Sequence, residues 1–201
     1  MDRTDFPLTH PPEKPVRLWS IGHSTHSYEV FMDLLRRHDI EAVVDVRSRP
    51  YSGYNPHFNM ERVREELRSN GIRYVHLGRE LGAFREEEEL ATEDGSTFES
   101  TCRSDLFQQG LSRLMQGART YRLAMMCGEK DPMTCHRTHL IGRALRSIAP
   151  EFRVDHIQAD GSIETALEFE SRLMKCNDVD EAHLFLSRPE LIDEAYDRAA
   201  R

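Results

Sequence analysis

The chain has 201 residues, enough for one core of ordinary size and short for two. With 38% hydrophobic and 31% charged residues, and no apolar run near the roughly 20 residues that span a bilayer, the composition excludes membrane insertion and sets the expectation of a soluble, cytoplasmic protein. A net charge of -8 argues against binding nucleic acid along an extended basic surface, so any anionic partner has to be met by a local basic pocket.

Residues 1–15, MDRTDFPLTHPPEKP, have neither the apolar stretch of a signal peptide nor the acid-poor character of a transit peptide, and read as a mobile polar leader. VRLWSIG (16–22) then reads as a buried strand ending in glycine. Ser27 is placed to cap a helix in which Val30, Phe31, Leu34 and Leu35 recur at helical spacing and Arg36, Arg37 and His38 suit the C-terminal dipole. EAVVDV is a second strand, and its exit RSRPYSGYNPHF is broken by prolines and glycine. Asn59 is a candidate cap for a helix that closes at Gly71.

IRYVHL supplies a third strand, followed by an acidic excursion over about 78–100 and a helix around 101–116. The Glu86 to Glu89 run within the excursion reads as a solvated face. ARTYRLAMM is a fourth strand, a helix runs from about Cys135 to Ser147, and FRVDHI is a fifth strand. The segment 162–201 is helical in pattern. Strands alternating with helices predict a single α/β domain over 16–201, an open, mostly parallel sheet of about five strands with helices on both faces.

In such sheets ligands lie beyond the carboxyl ends of the strands. The loops expected there carry His23 and Ser24, then Asp45, Arg47, Arg49 and Tyr51, and then Cys127, Glu129, Cys135, His136 and Arg137. Arg47 and Arg49 would point the same way from an extended chain and could clamp a phosphate or carboxylate; His23 and Ser24 could bind an anion at a helix N-terminus. A thiol at a helix start beside cations is partly thiolate at neutral pH, so Cys127 or Cys135 could act as nucleophile or redox group, with His136 as acid or base and Glu129 or Asp131 as an alternative base. The bland alternative is that Cys127 is core.

Cys102 and Cys176 read as incidental thiols, and no disulfide framework is expected from four irregularly spaced cysteines. The C-x5-R loop of thiol phosphatases is absent, since Met133 stands at the required position. No cofactor is required by these residues, although Cys127, Cys135 and His136 would admit a metal ion outside the usual structural-zinc spacing.

IGHS (21–24), VVDVRSRPYS (43–52), FN (58–59), GIRYVHLGRELG (71–82), MCGEKDP (126–132), CHR (135–137) and HIQADG (156–161) together resemble the bacterial domain-of-unknown-function family DUF488, over about residues 16–200. The resemblance implies a bacterial α/β protein and supplies no reaction. The plan of VVDVR and a later strand ending in cysteine is similar to rhodanese-type sulfurtransferases, which implies Cys127 as sulfur carrier supported by Asp45 and Arg47. The loop departs from that plan, being longer and holding Pro132, which has no N–H for a backbone cradle.

The leading expectation is an enzyme acting on a phosphate-bearing substrate, a nucleotide or one unit of a nucleic acid, held by His23, Arg47, Arg49 and Arg137. A rhodanese-like carrier and a non-catalytic nucleotide-binding or nucleic-acid-binding module are the alternatives. Oligomeric state is not legible.

Overall fold

The structure is a computed structural model that describes residues 15–83 and 98–200. Residues 1–14 of the expected leader and 84–97 of the acidic excursion, with the Glu86 to Glu89 run, lie outside the described residues. β1 (Val16–Gly22), β2 (Ala42–Asp45), β3 (Arg73–His76), β4 (Leu123–Cys127) and β5 (Phe152–Ile157) form a parallel sheet, and the short β6 (Ile163–Glu164) adds antiparallel to β5, giving the order β3-β2-β4-β1-β5-β6. β6 is an addition to the five strands expected, and it occupies the start of the segment expected to be helical.

Period-two alternation shows why both faces of the sheet are covered. Along β4, Ala124 and Met126 face one core while Leu123, Met125 and Cys127 face the other. On the first face lie α1 (Tyr28–Arg37) and α2 (Met60–Ser69), which bury Phe31, Leu34, Leu35, Val63 and Leu67 against Trp19, Ile21 and Val43. On the second lie α5 (Asp105–Thr120) and α6 (Arg143–Ile148), which bring Phe107, Leu111, Leu114, Ala144 and Leu145 against Leu18 and Val44. The short α3 (Gly78–Leu81) and α4 (Phe98–Arg103) flank α5. Among the described residues no helix is long and apolar enough to cross a membrane.

Ser27 caps α1 as expected, accepting from the Val30 amide, but Val30 itself points outward and Met32 takes its place in the core. Asn59 precedes α2 without capping it through its side chain, which accepts instead from the Ser52 amide at 2.7 Å. Gly71 follows α2 with φ +76, a left-handed conformation that favours glycine. α7 (Ala166–Cys176) begins with a capping box between Thr165 and Glu168 and packs on α8 (Arg188–Ala199) through Leu173, Leu191 and Tyr196.

The helix expected from about Cys135 is interrupted. A 3₁₀ turn (Pro132–Thr134) comes first, Cys135 is extended, and Arg137–Gly142 forms a wide π turn before α6. Such turns mark places where a side chain is aimed at the expense of helix regularity. The connection leaving β2 runs outward to β3 whereas that leaving β4 crosses back to β5, so the neighbours β2 and β4 flank the topological switch point, where open sheets form their ligand crevice.

Candidate functional site: a thiol, carboxylate and imidazole cluster

At the carboxyl end of β4, four side chains converge. The candidate ligand atoms of Cys127, Glu129, Cys135 and His136 all lie within 4.8 Å of one another. Glu129 Oε2 sits 2.8 Å from Cys127 Sγ and 3.0 Å from Cys135 Sγ, and His136 Nδ1 is 3.5 Å from Cys127 Sγ. Both cysteines are sealed from solvent, Cys127 at 2% and Cys135 at 1% exposure, while Glu129 is exposed at the loop. The cluster therefore has one open side, the one carrying the carboxylate.

His136 is oriented from behind. Its Nε2–H donates to the carbonyl of Val46 at 3.0 Å, just past β2, which turns Nδ1 toward the sulfurs and ties the β4 loop to β2 across the switch point. The protons are shared unequally among these groups. The Cys135 thiol is pulled down to about 6, chiefly by its hydrogen bond with Cys127 and, against the effect of burial, by His136 and Arg137. Cys127 is pushed well above the ordinary thiol range by Cys135, by burial and by Glu129. Burial depresses the charged form of His136, but its contact with Cys135 more than offsets this and raises its pKa. Burial likewise pushes the Glu129 carboxyl up, and the hydrogen bonds from Cys127 and Cys135 outweigh it and hold the group below the usual carboxylate range.

The arginines expected to clamp an anion are turned inward. Arg47 is 8% exposed and donates from Nε and Nη2 to Asp45 at 2.9 and 2.6 Å, from Nη2 to the Phe58 carbonyl at 2.9 Å, and from Nη1 to His23 Nε2 at 3.0 Å. Asp45, fully buried, also accepts from the Arg47 amide and from Tyr74 Oη. Arg49 is exposed on the same loop, so the two do not form a fork. Arg137, 1% exposed, donates to Ser20 Oγ and to the carbonyls of Glu129 and Lys130.

His23 stacks on Phe58 with ring centroids 4.3 Å apart and gives its Nδ1–H to the Ser24 carbonyl. Burial first, then Arg47, lowers its pKa to about 4, so it is a neutral packing element whose nitrogens are both engaged. Ser24 turns the chain with φ 48, and Tyr51 is exposed with its hydroxyl on Glu61. Asp131 caps the 3₁₀ turn and pairs with Arg172, so it is not in the cluster. His57 packs on Phe58, while Tyr54 stands in solvent. His156 is a satisfied core histidine on Ser20, whereas His76 is half-buried and donates to the Arg47 carbonyl.

A sulfur carrier of rhodanese type needs its cysteine open to donor and acceptor; Cys127 is instead buried and engaged with Glu129. The residues missed from sequence are supports: the Val46 carbonyl, Ser20, Phe58 and Tyr74. A serine within the largely apolar VRLWSIG was the available signal for one of them.

A family model described as "Domain of unknown function DUF488" matches residues 27–144. That span holds all four members of the cluster and stops short of β5 and the C-terminal helices. No curated protein and no solved structure matches the chain.

Proposed function

The chain belongs to the DUF488 family, and we propose that it is a metalloenzyme that holds one thiophilic divalent cation, zinc by the donor set, between Cys127, Glu129, Cys135 and His136. The observation that carries this reading is the convergence of two sulfurs, one carboxylate oxygen and one imidazole nitrogen within 4.8 Å at the switch point of the sheet. The hydrogen bond from His136 Nε2–H to Val46 is the outer-shell partner that metal-bound imidazoles ordinarily have. Burial of the sulfurs fits ligands better than nucleophiles, which need a path to substrate.

Glu129 is the exchangeable ligand, because it alone of the four is exposed and reaches the site from a loop. A cation there supplies Lewis acidity toward an oxyanion. The substrate class is a small phosphate-bearing anion, admitted past the exposed Lys130 that follows Glu129 in the loop. The reaction class is hydrolysis or group transfer.

Elemental analysis of protein purified without an affinity tag tests the centre: about one zinc per chain is expected. Cys135→Ser should lose it while Cys176→Ser, at an exposed thiol outside the cluster, should not. Background metal in freshly reduced wild-type protein would rule the reading out. Phosphate mono- and diester turnover by the zinc-loaded form, abolished in Cys135→Ser, then tests the substrate class.

One observation favours a second reading. The Cys135 thiol, lowered to about 6, lies beside His136, whose pKa is raised, and both shifts favour passing the thiol proton to the imidazole, which suits a covalent thiol mechanism. That reading expects metal-free wild-type protein whose turnover survives chelators and is lost in Cys135→Ser.

A further inference from the structure

Arg137 is among the largest fully buried side chains of the protein, yet no ion pair is formed by it among the described residues. Its guanidinium donates to two successive backbone carbonyls, Glu129 at 2.7 Å and Lys130 at 3.2 Å, and to Ser20 Oγ at 3.2 Å. Ser20 in turn donates to His156 Nδ1 at 2.7 Å. Every partner of the cation is neutral. A buried charge compensated only by neutral dipoles is expensive, so a counter-charge has to lie nearby.

Two anionic sources face it: Asp131, which already pairs with Arg172, and the cluster itself, which Arg137 borders through its sequence neighbour His136 and through the backbone of Glu129. A dication bound by two thiolates and a carboxylate carries one net negative charge, which a single guanidinium balances. Resting on the metal reading above, we propose that Arg137 is the positioning residue of that centre: its fork fixes the backbone from which the Glu129 carboxylate reaches the cation, and its charge neutralises the loaded cluster. The fit of Gly22 supports the clamp from the other side, since a Cβ there would lie 1.9 Å from the Glu129 carbonyl oxygen that Arg137 grips. The loop is therefore held between β1 and Arg137 with no room to shift.

The inference separates geometry from charge. Arg137→Lys keeps the cation and loses the two-pronged grip; Arg137→Met loses both. Zinc affinity, measured by competition with a chromophoric chelator, should fall about 10- to 100-fold in Arg137→Met, the usual effect of removing an outer-shell partner, and by a smaller factor in Arg137→Lys. The visible bands of the cobalt-substituted protein should change in both variants toward those of Glu129→Ala. In a Glu129→Ala background, Arg137→Lys should have little further effect, because its route to the metal is gone.

If wild-type protein binds no zinc or cobalt, the metal reading fails and this inference with it. If wild-type protein binds and folded Arg137→Lys and Arg137→Met bind equally tightly with unchanged cobalt bands, the metal reading stands and the role of Arg137 is refuted. Should Arg137→Met not fold, Arg137→Lys and its double variant with Glu129→Ala decide: wild-type affinity and cobalt bands in the first, or a full additive loss in the second, overturns the proposal.

Discussion

Replacing Asp45 by asparagine discriminates between Arg47 as an internal strut and Arg47 as a substrate clamp. Asp45 is fully buried and takes four hydrogen bonds, from the Arg47 amide at 3.1 Å, Nε at 2.9 Å, Nη2 at 2.6 Å and Tyr74 Oη at 2.8 Å. Removing one member of such a pair leaves an uncompensated charge and costs about 3–5 kcal/mol. The Phe58 carbonyl and His23 still accept from Arg47, which places Asp45→Asn at the lower end, about 3 kcal/mol. For a chain of this length that is a fall in Tm of roughly 6–12 °C. Arg47→Met should cost a similar amount by stranding Asp45, whereas the double variant removes both charges and should be less destabilised than the sum of the singles by about 2 kcal/mol or more. Urea unfolding of the four proteins at pH 7 measures this cycle. Additive losses, or singles below about 1 kcal/mol, would refute the strut. A substrate clamp predicts the reverse pattern, with turnover lost in Arg47→Met and stability kept.

Acid should weaken the fold through two buried imidazoles. His23 is lowered to about 4 by burial and Arg47, and His156 to about 3 by burial and then Arg137, against 6.5 when unfolded. The unfolded chain therefore binds more protons once pH drops below about 6.5, so their contribution is complete above that pH and is lost progressively toward about 4. Urea midpoints from pH 7 to 4.5 should fall steeply in wild type and less so in His156→Gln; equal slopes would remove His156 from the account. Gly22→Ala should displace the loop at Glu129 and lower zinc occupancy well below one per chain, and full occupancy by elemental analysis would contradict the tight fit. Thr165→Ala should cost about 1 kcal/mol in urea by removing the cap of α7 while leaving zinc content unchanged; a loss of zinc there would mean that α7 supports the site.

The fold was legible because its elements announce themselves locally. VRLWSIG and EAVVDV are too apolar for anything but buried strands, and Ser27 by its hydroxyl and Gly71 by its left-handed backbone mark helix ends. The cysteines and His136 were recognisable as a group since the chemistry belongs to the residue types. The direction of the arginines was not. Arg47 sits just past β2 and Arg137 opens the π turn, where period-two or α-helical arguments do not apply, and each found acceptors inward that only the fold creates: Asp45 for one, the carbonyls at 129 and 130 for the other. Val30 was misplaced for a milder reason, the helix register being set by Phe31, Met32 and Leu35 instead. Glu129 could be recognised as reactive, but its reach to both sulfurs depends on the turn around Pro132.

The π turn at Arg137–Gly142 gives the chain one residue of slack between Cys135 with His136 and the core contacts of Ile141, Ala144 and Leu145. Excising a single residue there would let the helix wind regularly with Ile141, Ala144 and Leu145 still in the core, because the wide turn is what takes up the extra residue. A shortened chain of this kind could keep its sheet and still lose the aim that the wide turn gives to the side chains leaving it, so the spacing between CHR and the downstream apolar residues is as much a part of the centre as the donors themselves.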